Sequence, residues 1–201
     1  MSTVHTHAVS TTEAPFYGAE WRKLMMWLFL VTDALLFAGF LGGYAFARLA
    51  SDTPWPDREA IFSLNFITAM TFLLITSSTT MASAVLAARN RDLGKAKLLL
   101  LVTALMGLVF LGMQAFEWTH FIHDGARLDG NPWGVPAFSA YFFLITGFHG
   151  THVLIGVLVL ALTALRSLKR ENASEMVEVA GLYWHFVDLV WVFVFGCFYL
   201  V

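Results

Sequence analysis

Six titratable side chains lie inside apolar stretches of this sequence, where a charge is costly unless it has a partner or a use. They are Asp33, Glu117, His149, His152, His185 and Asp188. Residues three apart neighbour each other on a helix. The spacing therefore predicts that His149 and His152 share one face, that His185 and Asp188 share another, and that Glu117 faces His120.

Three kinds of chemistry are open to these residues. Hydrogen bonds between helices would fix the packing of a bundle. A metal or haem site is the second, but the single E-x-x-H at Glu117 and His120 is half of a di-iron pattern, which needs two such motifs. The depths predicted for His149 and His185 also differ, which disfavours a shared haem. The third is proton exchange. Asp33 lies ~14 Å past the start of its span, where a carboxyl in low dielectric can take up and release protons or bond to a neighbouring hydroxyl or histidine.

The elements that position these residues are membrane helices. The chain has 201 residues, 58% hydrophobic and 13% charged, whereas soluble domains carry about 25% charge. Each of five apolar stretches reaches the ~20 residues that a helix needs to cross a bilayer. They run over Leu24–Ala47, Phe66–Ala88, Leu98–Thr119, Phe138–Leu165 and Val179–Val201. The predicted fold class is all-α, one integral membrane bundle of five helices over 21–201.

Lys and Arg predict the orientation of the bundle. Nine of them fall before the first span and in the second and fourth loops, and three fall in the other loops. Positive residues concentrate on the cytoplasmic side, so the N-terminus is predicted to be cytoplasmic and the C-terminus periplasmic. Residues 1–20 lack the basic leader and short apolar core of a signal peptide and are predicted to form an N-terminal arm. The net charge of −2 gives no support for nucleic-acid binding.

Two runs of small or hydroxyl residues indicate helix packing. Gly39, Gly43 and Ala47 recur every four residues in the first span, a spacing that lets two helices approach closely. The second span contains "ITSSTTMASA", whose hydroxyls can bond their own backbone or a neighbouring helix. The single Cys197 excludes an intramolecular disulfide and is expected to pack as a small apolar residue.

Several long motifs resemble subunit III of the haem–copper terminal oxidases. They are "LVTDALLFAGFLGGYAFA", "LGMQAFEW", "FFLITGFHGTHVLIGVLVL" and "GLYWHFVDLVWVFVF". The likeness extends from Trp21 to Val201 and is closest to the short five-helix bacterial form of the family. It implies an accessory subunit without a redox centre, in a bacterial cytoplasmic membrane. Haem and copper would lie in partner subunits I and II, and cytochrome c would supply electrons to the complex.

The resemblance also implies roles for individual residues. Asp33 aligns with the family's buried carboxylate, often a glutamate, which reacts with a hydrophobic carbodiimide; the acid here is one methylene shorter. It is the candidate for proton uptake. Arg166 is the candidate for a phospholipid headgroup. The remaining intramembrane residues, Glu117, His149, His152, His185 and Asp188, are expected to be structural. No residue is expected to be catalytic or to bind a metal.

Other functions remain open at the level of sequence. The chain could serve a quinol oxidase or a nitric oxide reductase, because a related subunit would have much the same five spans. A free-standing membrane enzyme with a histidine-ligated metal is an alternative from another class. A small transporter is a third, although no inverted repeat supports it.

Overall fold

A computed structural model describes residues 21–57, 61–166 and 172–200. The predicted arm 1–20 therefore lies outside the described residues, as do Arg58, Lys169 and Arg170 of the charge count. Five long helices account for most of the described chain. They are α1 (Trp21–Leu49), α2 (Leu64–Arg89), α3 (Leu93–His123), α4 (Pro136–Arg166) and α5 (Ala173–Phe195), and one turn of π-helix, Gly196–Leu200, continues α5.

All five helices are long and apolar enough to cross a membrane. This confirms the predicted all-α fold and the number of spans. Helices α1 to α4 extend beyond both ends of their predicted apolar stretches, and α5 begins before its predicted start, because the polar residues at these ends remain helical outside the hydrocarbon. In α3, for example, the Asp92 side chain caps the first turn by accepting from the backbone N–H of Lys95 at 3.1 Å.

Helices α2 to α5 form a closed ring in which each packs against two others. The contacting pairs are α2 with α3, α3 with α4, α4 with α5, and α5 with α2. Helix α1 packs on the outside of this ring, against α4 and α5. The centre of the ring contains the fully buried indoles of Trp184 and Trp191.

Hydroxyls of α2 accept from both indoles. Trp184 Nε1–H donates to Ser77 Oγ, which belongs to the run, at 2.9 Å, and Trp191 Nε1–H donates to Thr71 Oγ1, which precedes the run, at 3.0 Å. Other hydroxyls of the run bond their own helix, as Thr79 does to the carbonyl of Thr76. Both alternatives predicted for this run are therefore found.

The small-residue motif of α1 contacts another helix at one point. A Cβ built on Gly43 would lie 2.9 Å from the hydroxyl of Tyr141, so that glycine allows α4 to approach. Gly39 has no atom within 4 Å of such a Cβ and lies on the exposed side of α1. At Gly39 no described helix comes close, because that face of α1 meets none of them.

Candidate functional site

The candidate site is a set of polar contacts between helices at membrane depth. Asp33 lies twelve residues into α1, about 18 Å along the helix axis and near its middle. Its Oδ1 lies 3.3 Å from Nε2 of His152 on α4. Of the alternatives left open by the sequence, a neighbouring histidine is therefore the partner of Asp33.

The contact of Nδ1 sets the tautomer of His152. Nδ1 lies 2.8 Å from the carbonyl oxygen of Phe148, which can only accept, so Nδ1 carries a proton. A bare Nε2 lone pair would repel a carboxylate oxygen at 3.3 Å. A second proton must therefore lie on Nε2 or on the carboxyl of Asp33. Both forms preserve the contact, so the pair can hold one proton on either residue.

The surroundings of this pair are largely apolar. The ring of Phe37 lies 5.5 Å from that of His152 and the ring of Phe148 lies 4.6 Å away. The second carboxylate oxygen of Asp33, Oδ2, is buried and makes no hydrogen bond within the described part of the chain. Tyr183 of α5 donates to the backbone carbonyl of His152 at 3.0 Å, which joins a third helix to the site.

His185 and Asp188 are joined through a residue of another helix. The hydroxyl of Ser78 on α2 donates a short hydrogen bond to Oδ2 of Asp188. The hydroxyl oxygen of Ser78 also lies 3.0 Å from Nδ1 of His185. The predicted shared face of this pair is therefore present, and Ser78 is the member that the sequence analysis missed. Because α5 begins at Ala173 rather than Val179, both residues lie near the middle of the helix and not close to its start.

Glu117 and His120 line the same pocket but do not bond each other. Tyr199 in the π-helical turn donates its hydroxyl to both oxygens of Glu117, at 3.0 and 3.1 Å. Glu117 is buried, whereas His120 is exposed and packs its ring 4.9 Å from that of Phe116. The spacing therefore places both residues on one side of α3, but the hydrogen-bond partner of Glu117 is the phenol hydroxyl that follows α5.

His149 and His152 share a helix but enter different surroundings. His149 is completely buried, and its ring lies 5.8 Å from that of Phe110 and 5.1 Å from that of Trp191. Neither ring nitrogen makes a hydrogen bond within the described residues. His149 therefore contributes to the aromatic centre of the ring of helices, while His152 contacts α1.

An ion-pair cluster that the sequence analysis missed joins three helices at the basic end of the bundle. Glu178 of α5 contacts Lys23 of α1 at 2.6 Å and Arg89 of α2 at 2.5 Å. Glu175 of α5 contacts Arg22 of α1 at 3.1 Å. These partners are between 89 and 155 positions apart in sequence, so no local spacing could have indicated them. Arg166, the lipid candidate, ends α4 and is exposed.

No group of three or more His, Cys, Asp or Glu side chains within residues 21–57, 61–166 and 172–200 is arranged to hold a metal ion. His149 and His185, the pair considered for a haem, contact different neighbours. The rings of Trp191 and Phe110 surround His149, and Ser78 bonds His185. The polar contacts between the helices can link the bundle, and the contact between Asp33 and His152 can hold a proton.

A family model for cytochrome c oxidase subunit III matches residues 5–201. The chain belongs to the cytochrome c oxidase subunit III family. A member of this family is a non-catalytic subunit of a haem–copper oxidase complex and carries no redox centre itself. With five membrane-spanning helices and bacterial relatives, this subunit III is a multi-pass protein of the bacterial inner membrane.

Curated relatives of this subunit III serve two types of oxidase. Cytochrome c oxidase subunit 3 of Bacillus sp. (strain PS3) is 35% identical over 90% of this chain and 86% of its own length. Cytochrome c oxidase subunit 3 of Bacillus subtilis (strain 168) is 34% identical over 99% of this chain and 95% of its own length. A probable quinol oxidase subunit 3 of Staphylococcus saprophyticus is 31% identical over 98% of this chain and 96% of its own length.

Proposed function

We propose that this subunit III serves an oxidase that receives electrons from cytochrome c, and that it binds the catalytic subunit I together with subunit II. The strings F-H-G-T-H-V at 148–153 and Y-W-H-F-V-D at 183–188 favour the cytochrome c type. A quinol oxidase is the second candidate, because relatives of comparable identity carry that name.

Within that complex, we propose that Asp33 supports proton uptake. The observation that carries this proposal is the 3.3 Å contact between Asp33 Oδ1 and His152 Nε2, which requires one proton that either residue can carry. The second oxygen of Asp33 makes no hydrogen bond within the described residues, so a proton acceptor for it would have to come from outside them. The other intramembrane residues, Glu117, His149, His185 and Asp188, serve cohesion between helices.

We further propose that the subunit binds phospholipid. Arg166 is exposed at the basic end of α4 and can contact a phosphate. An apolar groove of about 430 Å³ runs between α1, α4 and α5 and begins beside Arg22. Its walls include Phe29, Ile155 and Val159, which suit an acyl chain.

Purification in mild detergent through a tag on this chain tests the assignment. The expected product contains oxidase subunits I and II, shows haem absorbance, and consumes oxygen when supplied with reduced cytochrome c. Oxygen consumption with quinol but not with cytochrome c would select the second candidate. A chain that purifies without any other oxidase subunit would contradict both.

A further inference from the structure

The pocket that Glu117 and His120 line has a volume of about 250 Å³ and lies between α2 and α3. It contacts the start of α2 and the last turns of α3, at the end of the bundle opposite the ion pairs of Glu175 and Glu178. Glu117 is six residues from the end of α3, about 9 Å along the axis. Since α3 has 31 residues and is about 46 Å long, it extends well beyond ~30 Å of hydrocarbon. The pocket is therefore near the membrane surface, where dissolved molecules can reach it.

Glu117 is the buried acid of this pocket, and its capacity to accept hydrogen bonds is only partly used. The hydroxyl of Tyr199 is 3.0 and 3.1 Å from the two carboxylate oxygens, but it has one proton to share between them. An ionised carboxylate can accept about four hydrogen bonds. Glu117 forms no ion pair with a described residue, whereas Glu178 pairs with Lys23 and Arg89. A buried carboxylate is costly unless it is paired, so a ligand that brings both N–H donors and positive charge suits this position.

Four aromatic rings line the pocket in two pairs. The rings of Phe62 and Phe121 stack with centroids 5.4 Å apart, and those of Phe66 and Phe116 pack at 5.6 Å. Phenyl rings cover the apolar part of a ligand, and their faces attract a cation. The lining therefore combines apolar walls with a carboxylate, which is the combination that recognises an organic cation.

The charges of the lining favour a free amine over a phospholipid headgroup. Asp124, seven residues after Glu117, adds a second carboxylate, and no Lys or Arg is among the described residues that line the pocket. An aminophospholipid also offers an ammonium group, but its phosphate follows closely and would meet Asp124 without a compensating cation. A free amine brings no such negative charge.

The volume of the pocket limits the size of the amine. It is smaller than the roughly 300–1,000 Å³ of pockets for drug-sized ligands. We propose that this pocket binds a small primary ammonium ion with an apolar body. The ammonium group donates to Glu117, and the body packs against Phe62 and Phe66. This binding site goes beyond the role in the oxidase and does not depend on the electron donor of the complex.

Photoaffinity labelling of the purified complex tests the pocket. The probe, para-azidophenethylamine, carries a primary ammonium group beside one ring, and peptide mass spectrometry locates its attachment. We expect attachment within residues 61–67 or 116–124 and displacement of the probe by phenethylamine. Phenethyl alcohol is the matched competitor, because it keeps the ring without the charge, and about tenfold more of it should be needed. Equal competition by the amine and the alcohol, or attachment only outside these two ranges, would overturn the proposal.

Two variants test the carboxylate and the space separately. Glu117→Gln should raise the amount of phenethylamine needed for displacement about tenfold, because it removes the charge. Asp129→Asn is its control, since this exposed carboxylate at the same end of the bundle does not line the pocket. Ser63→Phe should abolish labelling by filling the pocket, whereas Leu64→Phe, an exposed neighbour outside the lining, should not. Unchanged labelling and displacement in both Glu117→Gln and Ser63→Phe would contradict the proposal.

Nanodiscs of defined lipid distinguish the two sources of an ammonium group. Labelling should be equal in nanodiscs of phosphatidylglycerol and in those that also contain phosphatidylethanolamine. Loss of labelling in the presence of phosphatidylethanolamine would assign the pocket to a lipid headgroup and overturn the free amine. The subunit composition of the same samples reports separately on the proposed function.

Discussion

Asp33 and His152 join α1 to α4 by a contact that requires a proton but does not fix which residue carries it. Helix α1 otherwise lies outside the ring of the other four, so this contact is one of the few polar links that hold it. If Asp33 has the proposed role in proton uptake, this contact serves two properties, the attachment of α1 and the holding of a proton.

The Asp33→Asn variant separates those properties. The amide retains hydrogen-bonding atoms toward His152, so we expect assembly and yield of the complex to be unchanged. Loss of the carboxyl removes one proton carrier, so proton uptake during turnover should slow or the number of turnovers before inactivation should fall. Stopped-flow pH-indicator measurements and long turnover assays measure the two effects. Thr32→Val, an exposed neighbour, is the control. Normal proton kinetics and lifetime in Asp33→Asn would make Asp33 a packing residue.

The Tyr199→Phe variant addresses Glu117. Tyr199 is the donor to both oxygens of this buried carboxyl. Without the hydroxyl Glu117 would be left unsatisfied, at a cost of about 1–3 kcal/mol of unfolding free energy. Thermal unfolding of the purified complex should show a lower melting temperature. Tyr141→Phe should have little effect, because no hydrogen bond of that hydroxyl is found within the described residues. Equal melting temperatures for Tyr199→Phe and the parent would show that Glu117 needs no donor.

Sequence spacing predicted which polar residues share a helix face but not their partners on other helices. It placed His185 beside Asp188, and the structure joins them through Ser78 of α2. It also paired Glu117 with His120, although the partner of Glu117 is Tyr199. An i, i+3 rule describes one helix only, whereas the choice of partner depends on how helices are rotated against each other.

At the scale of helices, the packing of Trp184 explains why particular positions are glycine. The indole lies between α3 and α4. A Cβ built on Gly107 would lie 2.5 Å from Trp184 Cη2, and one on Gly156 would lie 2.9 Å from its ring. Ser77 of α2 accepts the indole N–H, so Trp184 of α5 contacts three other helices. The ring cannot move away from an added methyl group without losing that bond.

The Gly107→Ala variant should therefore destabilise the bundle. Overpacking of a filled core costs about 1–3 kcal/mol, which would lower the melting temperature in detergent. Gly39→Ala is the matched control, since a Cβ there would have no atom within 4 Å. A melting temperature for Gly107→Ala equal to that of the control would indicate that Trp184 can shift at no cost.

The number and order of the helices were predictable from hydropathy, but their ends were not. Hydropathy detects the part of a helix that lies in hydrocarbon. Helix α5 begins at Ala173, before its predicted start at Val179, because Glu175 and Glu178 remain helical while they pair with Arg22, Lys23 and Arg89. Those pairs form only when three helices meet, so the sequence of one segment cannot reveal them.

For the whole molecule, orientation in the membrane remains a prediction from the charge of the loops. The ion pairs of Glu175 and Glu178 gather the start of α1, the end of α2 and the start of α5 at one end of the bundle. That end contains most of the Lys and Arg residues. By the positive-inside rule it should face the cytoplasm.

Labelling with a membrane-impermeant maleimide tests this orientation. In a Cys197→Ser background, Leu128→Cys lies in the loop between α3 and α4, and Lys95→Cys lies near the start of α3. Both positions are exposed. Leu128→Cys should react from the outside of intact spheroplasts, and Lys95→Cys should react only after permeabilisation. The reverse pattern would place the N-terminus outside.

The sequence was sufficient to recognise the family but not to identify the electron donor. The motifs around His149, His152, His185 and Asp188 identified subunit III, and the family match confirms it. The choice between cytochrome c and quinol as electron donor depends mainly on other chains of the complex, so this chain bears on it only through the strings at 148–153 and 183–188.

The central claim is that the polar residues of this chain link helices and exchange protons, and that none of them binds a redox centre. The most direct test is the haem and copper content of the oxidase purified with this subunit and after its removal. We expect identical haem and copper per catalytic subunit in the two preparations, and no stoichiometric metal on the isolated chain. Loss of one haem or metal equivalent with the subunit, or its recovery on the isolated chain, would show that a polar residue of this chain binds a redox centre.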